Sequence, residues 1–117
     1  MVQPVRSVKR ASPRRYGIAL PGGRLAVFCR RWKVTALALF GSVLREDFSP
    51  NSDVDVLASF AEGARWSLFD LVDMQNELQD ILGREVDLVP RKSIENSENH
   101  IRRRSILGAA EVIYAAR

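Results

Sequence analysis

The sequence has little cysteine, little histidine and no long apolar run, and each shortage excludes a class of protein. Its single cysteine, Cys29, cannot build an internal disulfide framework and fits a reducing compartment. Its single histidine, His100, cannot build a histidine-based metal cluster or a Ser-His catalytic triad. No apolar stretch reaches the roughly 18 residues of a membrane helix, and the basic N-terminus lacks the apolar segment of a secretory signal. We therefore expect a cytoplasmic protein with no membrane association.

Acidic residues are absent from the first fifteen positions, whereas five basic residues lie there (Arg6, Lys9, Arg10, Arg14 and Arg15). The other basic residues nearly balance the 14 acidic ones, so the rest of the chain lacks the basic footprint of a nucleic-acid-binding domain. We do not expect nucleic acid as a direct substrate. Residues 1–20 have no apolar periodicity, and we predict a mostly disordered basic extension there, followed by one domain over residues 21–117.

Apolar periodicity and turn residues predict an alternation of helices and strands. Ser67 and Asp70 have the spacing of a capping box, and Gly83 has the character of a residue that ends a helix. The final apolar segment, 110–115, is interpreted as a strand, with a helical tail as the alternative. An α/β (α+β) domain follows, in which helices flank a small mixed sheet of three to four strands. The predicted helices are 21–32, 43–46, 67–83 and 97–107, and the predicted strands are 33–40, 53–60, 84–90 and 110–115.

Two carboxylates begin the second predicted strand. Because strand side chains alternate with a period of two, Asp53 and Asp55 are expected on the same face. Two adjacent carboxylates repel each other, and a divalent cation with a preference for oxygen ligands, Mg²⁺ or Mn²⁺, relieves that repulsion. Asp87 lies between two apolar residues of the third predicted strand and is the expected third ligand if the two strands are neighbours. A salt bridge from Asp87 to an arginine is the alternative.

A Gly-Ser turn ends the first predicted strand. Gly41 permits a close backbone approach to phosphate, and Ser42 supplies a hydroxyl and an N–H at the predicted start of a short helix. Arg45 lies about one turn further on and could reach the same phosphates, although an exposed helix arginine is an ordinary feature. Three carboxylates and a phosphate-binding turn predict a two-metal nucleotide site.

Gly41-Ser42, ten further residues and then Asp53-Val54-Asp55 resembles the signature of the polymerase-β-type nucleotidyltransferase superfamily. The compact length resembles its smallest branch, the minimal nucleotidyltransferases that are often paired with a HEPN-domain toxin. The resemblance covers residues 20–117 and is carried by segments 28–32, 39–45, 52–57 and 86–89.

The resemblance implies a role for each of these residues. Gly41 and Ser42 would bind a nucleoside triphosphate, Asp53 and Asp55 would coordinate Mg²⁺, and Asp87 would be the third carboxylate, which helps an acceptor hydroxyl lose its proton. The implied reaction moves AMP from ATP to a tyrosine of a cognate HEPN-type toxin and so makes the chain an antitoxin.

Two other interpretations stay open from the sequence. The chain could neutralise a toxin by contact alone, without catalysis, or it could act on a small molecule with a separate helical subunit completing the site. Whether it assembles with itself or only with a partner is open as well.

Overall fold

The computed structural model describes residues 14–15, 18–44 and 52–116 of the chain. A four-residue 3-10 helix covers Gly41–Leu44. In chain order the other elements are β1 Arg14–Arg15, β2 Ile18–Ala19, α1 Gly22–Arg31, β3 Val34–Phe40, β4 Val54–Phe60, α2 Leu68–Leu82, β5 Val86–Pro90, α3 Arg91–Glu95, α4 His100–Ala109 and β6 Glu111–Ala115.

The main sheet has four strands in the order β5-β4-β3-β6. β3 pairs antiparallel with both β4 and β6, whereas β4 and β5 are parallel. The prediction of a small mixed sheet flanked by helices is therefore confirmed. The strand interpretation of the last apolar segment is confirmed too, because β6 pairs with β3.

One face of the sheet carries the larger core. Val54 and Val56 of β4 point to this face, and α1 and α2 cover it with fully buried side chains such as Phe28 and Leu78. Cys29 belongs to the same cluster, and burial raises the pKa of its thiol to about 12, so the thiol is neutral at physiological pH. This face accounts for most of the apolar burial in the described part of the chain.

The other face carries a smaller cluster. Phe40 of β3, Leu57 of β4 and Ile94 of α3 are buried there, and side chains of α4 pack against them. Because apolar groups cover both faces, β3 reads as a nearly continuous apolar run rather than an alternating one.

The predicted start and end of α2 are confirmed by its hydrogen bonds. The backbone N–H of Asp70 donates to the Ser67 hydroxyl at 3.1 Å, and the Ser67 N–H donates to the Asp70 carboxylate at 2.9 Å. Gly83 follows the helix in the left-handed conformation, with φ +69°. Local sequence chemistry therefore fixes this helix at both ends.

The region after β5 differs from the sequence-based predictions. α3 has no counterpart among the predicted helices, because its five residues directly follow Pro90 and are too few to show a period. α4 starts at His100 rather than near residue 97, since Asn99 caps it by accepting the Arg102 N–H at 3.0 Å. The helix ends at Ala109 rather than at the predicted residue 107, so Gly108 lies inside it.

The short helix after β3 differs as well. The prediction placed it over 43–46, whereas the structure has a 3-10 turn that begins at Gly41. Positions 45–46 lie outside the described residues. The Gly-Ser pair is therefore part of the turn rather than a break ahead of it.

Part of the predicted N-terminal extension has defined contacts. Arg14–Arg15 pairs with Ile18–Ala19 as a small antiparallel ribbon, and Ile18 is buried in the larger core. The core thus includes a residue ahead of position 21. The division into residues 1–20 and 21–117 stays a prediction.

None of the helices in the part of the chain that the structure describes combines the length and apolar character that a bilayer span requires.

Candidate active site

The centre of the candidate site is Asp55, near the start of β4. In the sheet it pairs with Phe40 at the end of β3 on one side and with Asp87 at the start of β5 on the other. Neighbouring strands lie about 4.8 Å apart, so the register alone places the Asp55 and Asp87 side chains next to each other on one face. The strands that carry Asp55 and Asp87 are therefore neighbours, which is the arrangement that a shared role of the two carboxylates requires. We call this end of the sheet, with Asp53, Asp55 and Asp87, the carboxylate end.

Gly41 is fitted to Asp55 by close contact. Its φ is +77°, a conformation that favours glycine, and a Cβ placed there would collide with Asp55 Oδ2 and lie 3.2 Å from Asp55 Cγ. Only a residue without a side chain lets the turn and the carboxylate approach this closely. The Gly-Ser turn therefore lies directly against Asp55 of the Asp-x-Asp pair.

The backbone around Asp53 is held by residues that precede β5. The Arg84 guanidinium donates to the Ser52 carbonyl at 2.8 Å, and the Val54 N–H donates to the Glu85 carbonyl at 2.8 Å. Asp53 lies between these two anchors, and its side chain is exposed. The anchors fix where this carboxylate leaves the chain while leaving it accessible to a ligand.

Asp87 is positioned by α2 through the outer edge of β5. Its neighbours Val86 and Leu88 donate their backbone N–H groups to the side-chain oxygens of Gln79 and Gln75, at 3.1 and 3.0 Å. These two glutamines satisfy donors that an edge strand otherwise exposes, and they hold β5 on both sides of Asp87. Neither glutamine was among the residues predicted from the sequence, and their spacing of four residues on one helix was the available signal.

A salt bridge from Asp87 to an arginine was the alternative explanation for this residue. Asp87 is exposed and forms no ion pair with any other residue in the described ranges. A salt bridge is therefore not what explains its place between Val86 and Leu88 in this part of the chain.

Ser42 lies within the 3-10 turn and is half-buried. Its hydroxyl forms no hydrogen bond with the described residues, so it can donate to a ligand. A single 3-10 turn has little macrodipole, so phosphate binding at this turn would depend on its individual N–H and hydroxyl donors. Arg45 lies outside the described residues, and its role stays a prediction.

The carboxylate end fits a hard divalent cation in part. The donors are carboxylate oxygens, the ligands that Mg²⁺ prefers. Within the described ranges, however, no group of three or more Asp, Glu, His or Cys side chains is already arranged to hold a metal ion. Mg²⁺ commonly binds through one or two carboxylates together with water and substrate phosphates, so a complete protein cage is not required. The donor set therefore fits Mg²⁺ that arrives with a phosphorylated substrate.

A groove with a volume of about 840 Å³ starts at the Gly-Ser turn, and we call it the α4 groove. Gly41 lies at one wall of it, α4 forms the opposite wall, and the volume falls within the usual range for small-molecule sites. Another cavity, of about 530 Å³, lies at the opposite end of β4 near Phe60 and Arg91, away from the carboxylate end. The residues that line the α4 groove are Phe40, Gly41, Leu44, Asn99, Ile101, Arg102, Ser105, Ile106 and Ala109.

Comparison with known proteins gives a family and several relatives. The family model described as "Nucleotidyltransferase domain" matches residues 25–111. "Putative protein adenylyltransferase MJ1217" of Methanocaldococcus jannaschii is 41% identical over 66 residues, which are 56% of this chain and 65% of that protein. The chain thus matches slightly less than two thirds of that relative's length.

Two solved structures share the fold. One, described as "Structure of putative minimal nucleotidyltransferase", has a TM-score of 0.57 at 31% identity, and the alignment covers 81% of this chain and 91% of that chain. The other, described as "Crystal structure of the toxin-antitoxin with AMP-PNP", has a TM-score of 0.61, and the alignment covers 84% of this chain and 76% of that chain. At 18% identity, this second likeness shows the fold alone.

Proposed function

Because this chain belongs to the nucleotidyltransferase domain family, we propose that it is a Mg²⁺-dependent adenylyltransferase. Its substrates would be ATP and a hydroxyl group on a partner protein. The relative named as a protein adenylyltransferase supports a protein acceptor. The single cysteine, which is free and buried, fits a reaction in a reducing compartment such as the cytoplasm.

One observation carries the proposal: the close approach of Gly41 to the Asp55 carboxylate beside Asp87. A turn with backbone N–H and hydroxyl donors suits the phosphate oxygens of a nucleotide. Carboxylates on the other side of the same point suit the cations that accompany those phosphates.

In the proposed reaction Ser42 and the N–H groups of its turn bind the triphosphate. Asp53 and Asp55 would hold Mg²⁺, which supplies charge neutralisation for the phosphates when it is bound, and two such ions are expected. Asp87 accepts the proton of the acceptor hydroxyl. The acceptor oxygen then forms a bond to the α-phosphorus, and the bond from that phosphorus to the bridging oxygen breaks. Pyrophosphate leaves with the bonding electron pair, and positioning supplies most of the rate enhancement.

The partner in this proposal is a toxin of the HEPN class, and the acceptor is a tyrosine hydroxyl. The solved toxin-antitoxin structure with AMP-PNP, which has the same fold, supports the pairing of a nucleotide site with a toxin partner. Modification of the toxin would make this chain an antitoxin. Exposure of Asp53 and Asp87 leaves the carboxylate end accessible to such a macromolecular acceptor.

A label-transfer assay tests the proposal. The purified chain is incubated with MgCl₂ and the protein encoded by the neighbouring gene, with ATP labelled either at the α- or at the γ-phosphate. We expect the α-label, and not the γ-label, to become covalently attached to the partner. Mass spectrometry of the partner should then locate the added AMP on a tyrosine.

The matched variants separate chemistry from folding. Asp53→Asn with Asp55→Asn should abolish the transfer, whereas Asp73→Asn, an exposed carboxylate of α2 outside the site, should leave it unchanged. If the double variant neutralises the toxin as well as the wild type, and neither protein moves label, the chain is a contact antitoxin and the proposal is wrong.

A further inference from the structure

The α4 groove is continuous with the proposed phosphate-binding turn. Gly41 and Leu44 of the turn line one side, and residues of α4 line the other. A ligand with its phosphates at Gly41 would therefore extend along α4 rather than away from the protein. In this arrangement the phosphates of a nucleotide would lie at Gly41 and the rest of the nucleotide would lie along α4.

Arg102 is the one charged residue among the described residues that line this groove. It is exposed, and it forms no ion pair with any residue in the described ranges. Its backbone is fixed because its N–H donates to the Asn99 cap at 3.0 Å. A positioned arginine without an internal carboxylate partner can offer its guanidinium to a phosphate.

The two neighbouring arginines are placed differently, although they share the helix. Arg103 donates to the carbonyls of Glu95 and Ser97 at 3.3 Å each, so its guanidinium is used in holding the connection between α3 and α4. Arg104 lines a different surface hollow, together with His100, and does not line the α4 groove. Of the three consecutive arginines, only Arg102 faces the groove.

The remaining walls of the groove are mainly apolar. Phe40 and Ile106 form part of the smaller core, and Ile101 at the rim is 84% exposed. A large aliphatic side chain left this exposed gives a planar base an apolar surface to cover. One cation and apolar walls in a groove that begins at Gly41 match the two chemical halves of a nucleotide.

We propose that the α4 groove binds the nucleoside triphosphate and that Arg102 contacts its phosphates. This inference rests on the proposed function and adds to it the location of the nucleotide and a positively charged residue. The arginine would offset part of the repulsion between the triphosphate and the three nearby carboxylates, alongside the divalent cation. Arg102 therefore acts in binding, and the acceptor hydroxyl does not depend on it.

Titration calorimetry with AMP-PNP in MgCl₂ tests the role of Arg102. Loss of a charge-assisted contact corresponds to about 1.5–3 kcal/mol, so Arg102→Ala should raise the Kd about 10- to 100-fold. Arg102→Lys should recover part of this loss, and Arg102→Glu should bind more weakly than the alanine variant. Arg104→Ala removes the same charge from the same helix outside the groove and should change the Kd by less than about twofold.

The dependence of AMP-PNP affinity on ionic strength is a second measurement, and a purely structural role of Arg102 would leave this dependence unchanged. Wild-type affinity for AMP-PNP should fall with added salt more steeply than the affinity of Arg102→Ala, because the variant has lost one screened charge interaction. Equal melting temperatures of the variant and the wild type would show that the fold is intact. A Kd for Arg102→Ala within about twofold of wild type would overturn the inference.

The outcomes separate this inference from the proposed function. If the wild type neither binds AMP-PNP nor transfers label, the proposed function fails. If the wild type does both and Arg102→Ala binds nucleotide equally well, only the role of Arg102 fails. Label transfer lost in Arg102→Ala at an unchanged Kd would assign this arginine to the acceptor and would likewise contradict the inference.

Discussion

The two faces of the four-stranded sheet differ in what covers them. On one face α1 and α2 bury the larger core, which includes Val54 and Val56 of β4. On the other, α3 and α4 bury a compact cluster around Leu57 and leave the carboxylate end and the α4 groove accessible. The same strand therefore supplies packing on one side and, through Asp55, candidate chemistry on the other.

The two faces of β4 have different roles. Alternation places Val54 and Val56 in the core and Asp55 between them on the opposite face. The well-packed face fixes the strand, and the fixed strand in turn fixes the carboxylate relative to Gly41. Substitutions on the two faces should consequently have separable effects, on stability for one and on nucleotide chemistry for the other.

The largest expected effect is on the well-packed face. Leu78 of α2 is fully buried, so Leu78→Ala should lower the free energy of unfolding by about 2–5 kcal/mol. Leu68 of the same helix is 75% exposed, and Leu68→Ala should change stability by less than about 0.5 kcal/mol. Urea denaturation of both variants measures the contrast. Similar losses in the two variants would contradict the assignment of the core to this side of α2.

At the carboxylate end, a substitution of Gly41 is expected to reduce activity. Gly41→Ala places a methyl group against the Asp55 carboxylate and should reduce label transfer at least about 100-fold by displacing the catalytic groups. Gly63→Ala is the matched control, because Gly63 also has a positive φ, +87°, but no atom lies within 4 Å of its added Cβ. The control should lose about 1–2 kcal/mol of stability and keep its activity. Equal activity of the two variants would contradict the proposed contact.

A smaller effect on both stability and activity is expected at Gln79, where α2 holds the strand that carries Asp87. Gln79→Leu leaves the Val86 N–H without its acceptor and should cost about 1–3 kcal/mol of stability. Because β5 would loosen beside Asp87, label transfer should fall as well, with kcat affected more than the KM for ATP. Asn76→Leu is the control, because Asn76 is an exposed polar residue of the same helix. A loss in Asn76→Leu equal to that in Gln79→Leu would exclude the positioning role.

Much of the fold was predictable because local signals agree with the tertiary structure. The capping box at Ser67, the terminal Gly83 and the apolar runs of β3 and β4 each match the observed element. α3 escaped prediction because five residues after Pro90 contain too little pattern. The start of α4 was misplaced because Ser97, the residue at the predicted start, does not cap that helix; its hydroxyl accepts the Asn99 N–H instead.

The candidate site was predictable to a different degree. Strand alternation predicts a common face for Asp53 and Asp55, and the observed register adds Asp87 beside Asp55. The α4 groove was not predictable, since it forms between two segments that are distant in the sequence and depends on how α4 packs. The glutamines beside Asp87 also act through tertiary contacts, which no local pattern specifies.

In the proposed function, Asp53 and Asp55 bind a divalent cation together with a nucleotide at the Gly41 turn. Electron paramagnetic resonance of Mn²⁺, titrated with the protein in the presence and absence of AMP-PNP, measures this directly. We expect AMP-PNP to strengthen Mn²⁺ binding to the wild type and Asp53→Asn with Asp55→Asn to remove this gain. An equal gain in the wild type and the double variant would contradict it.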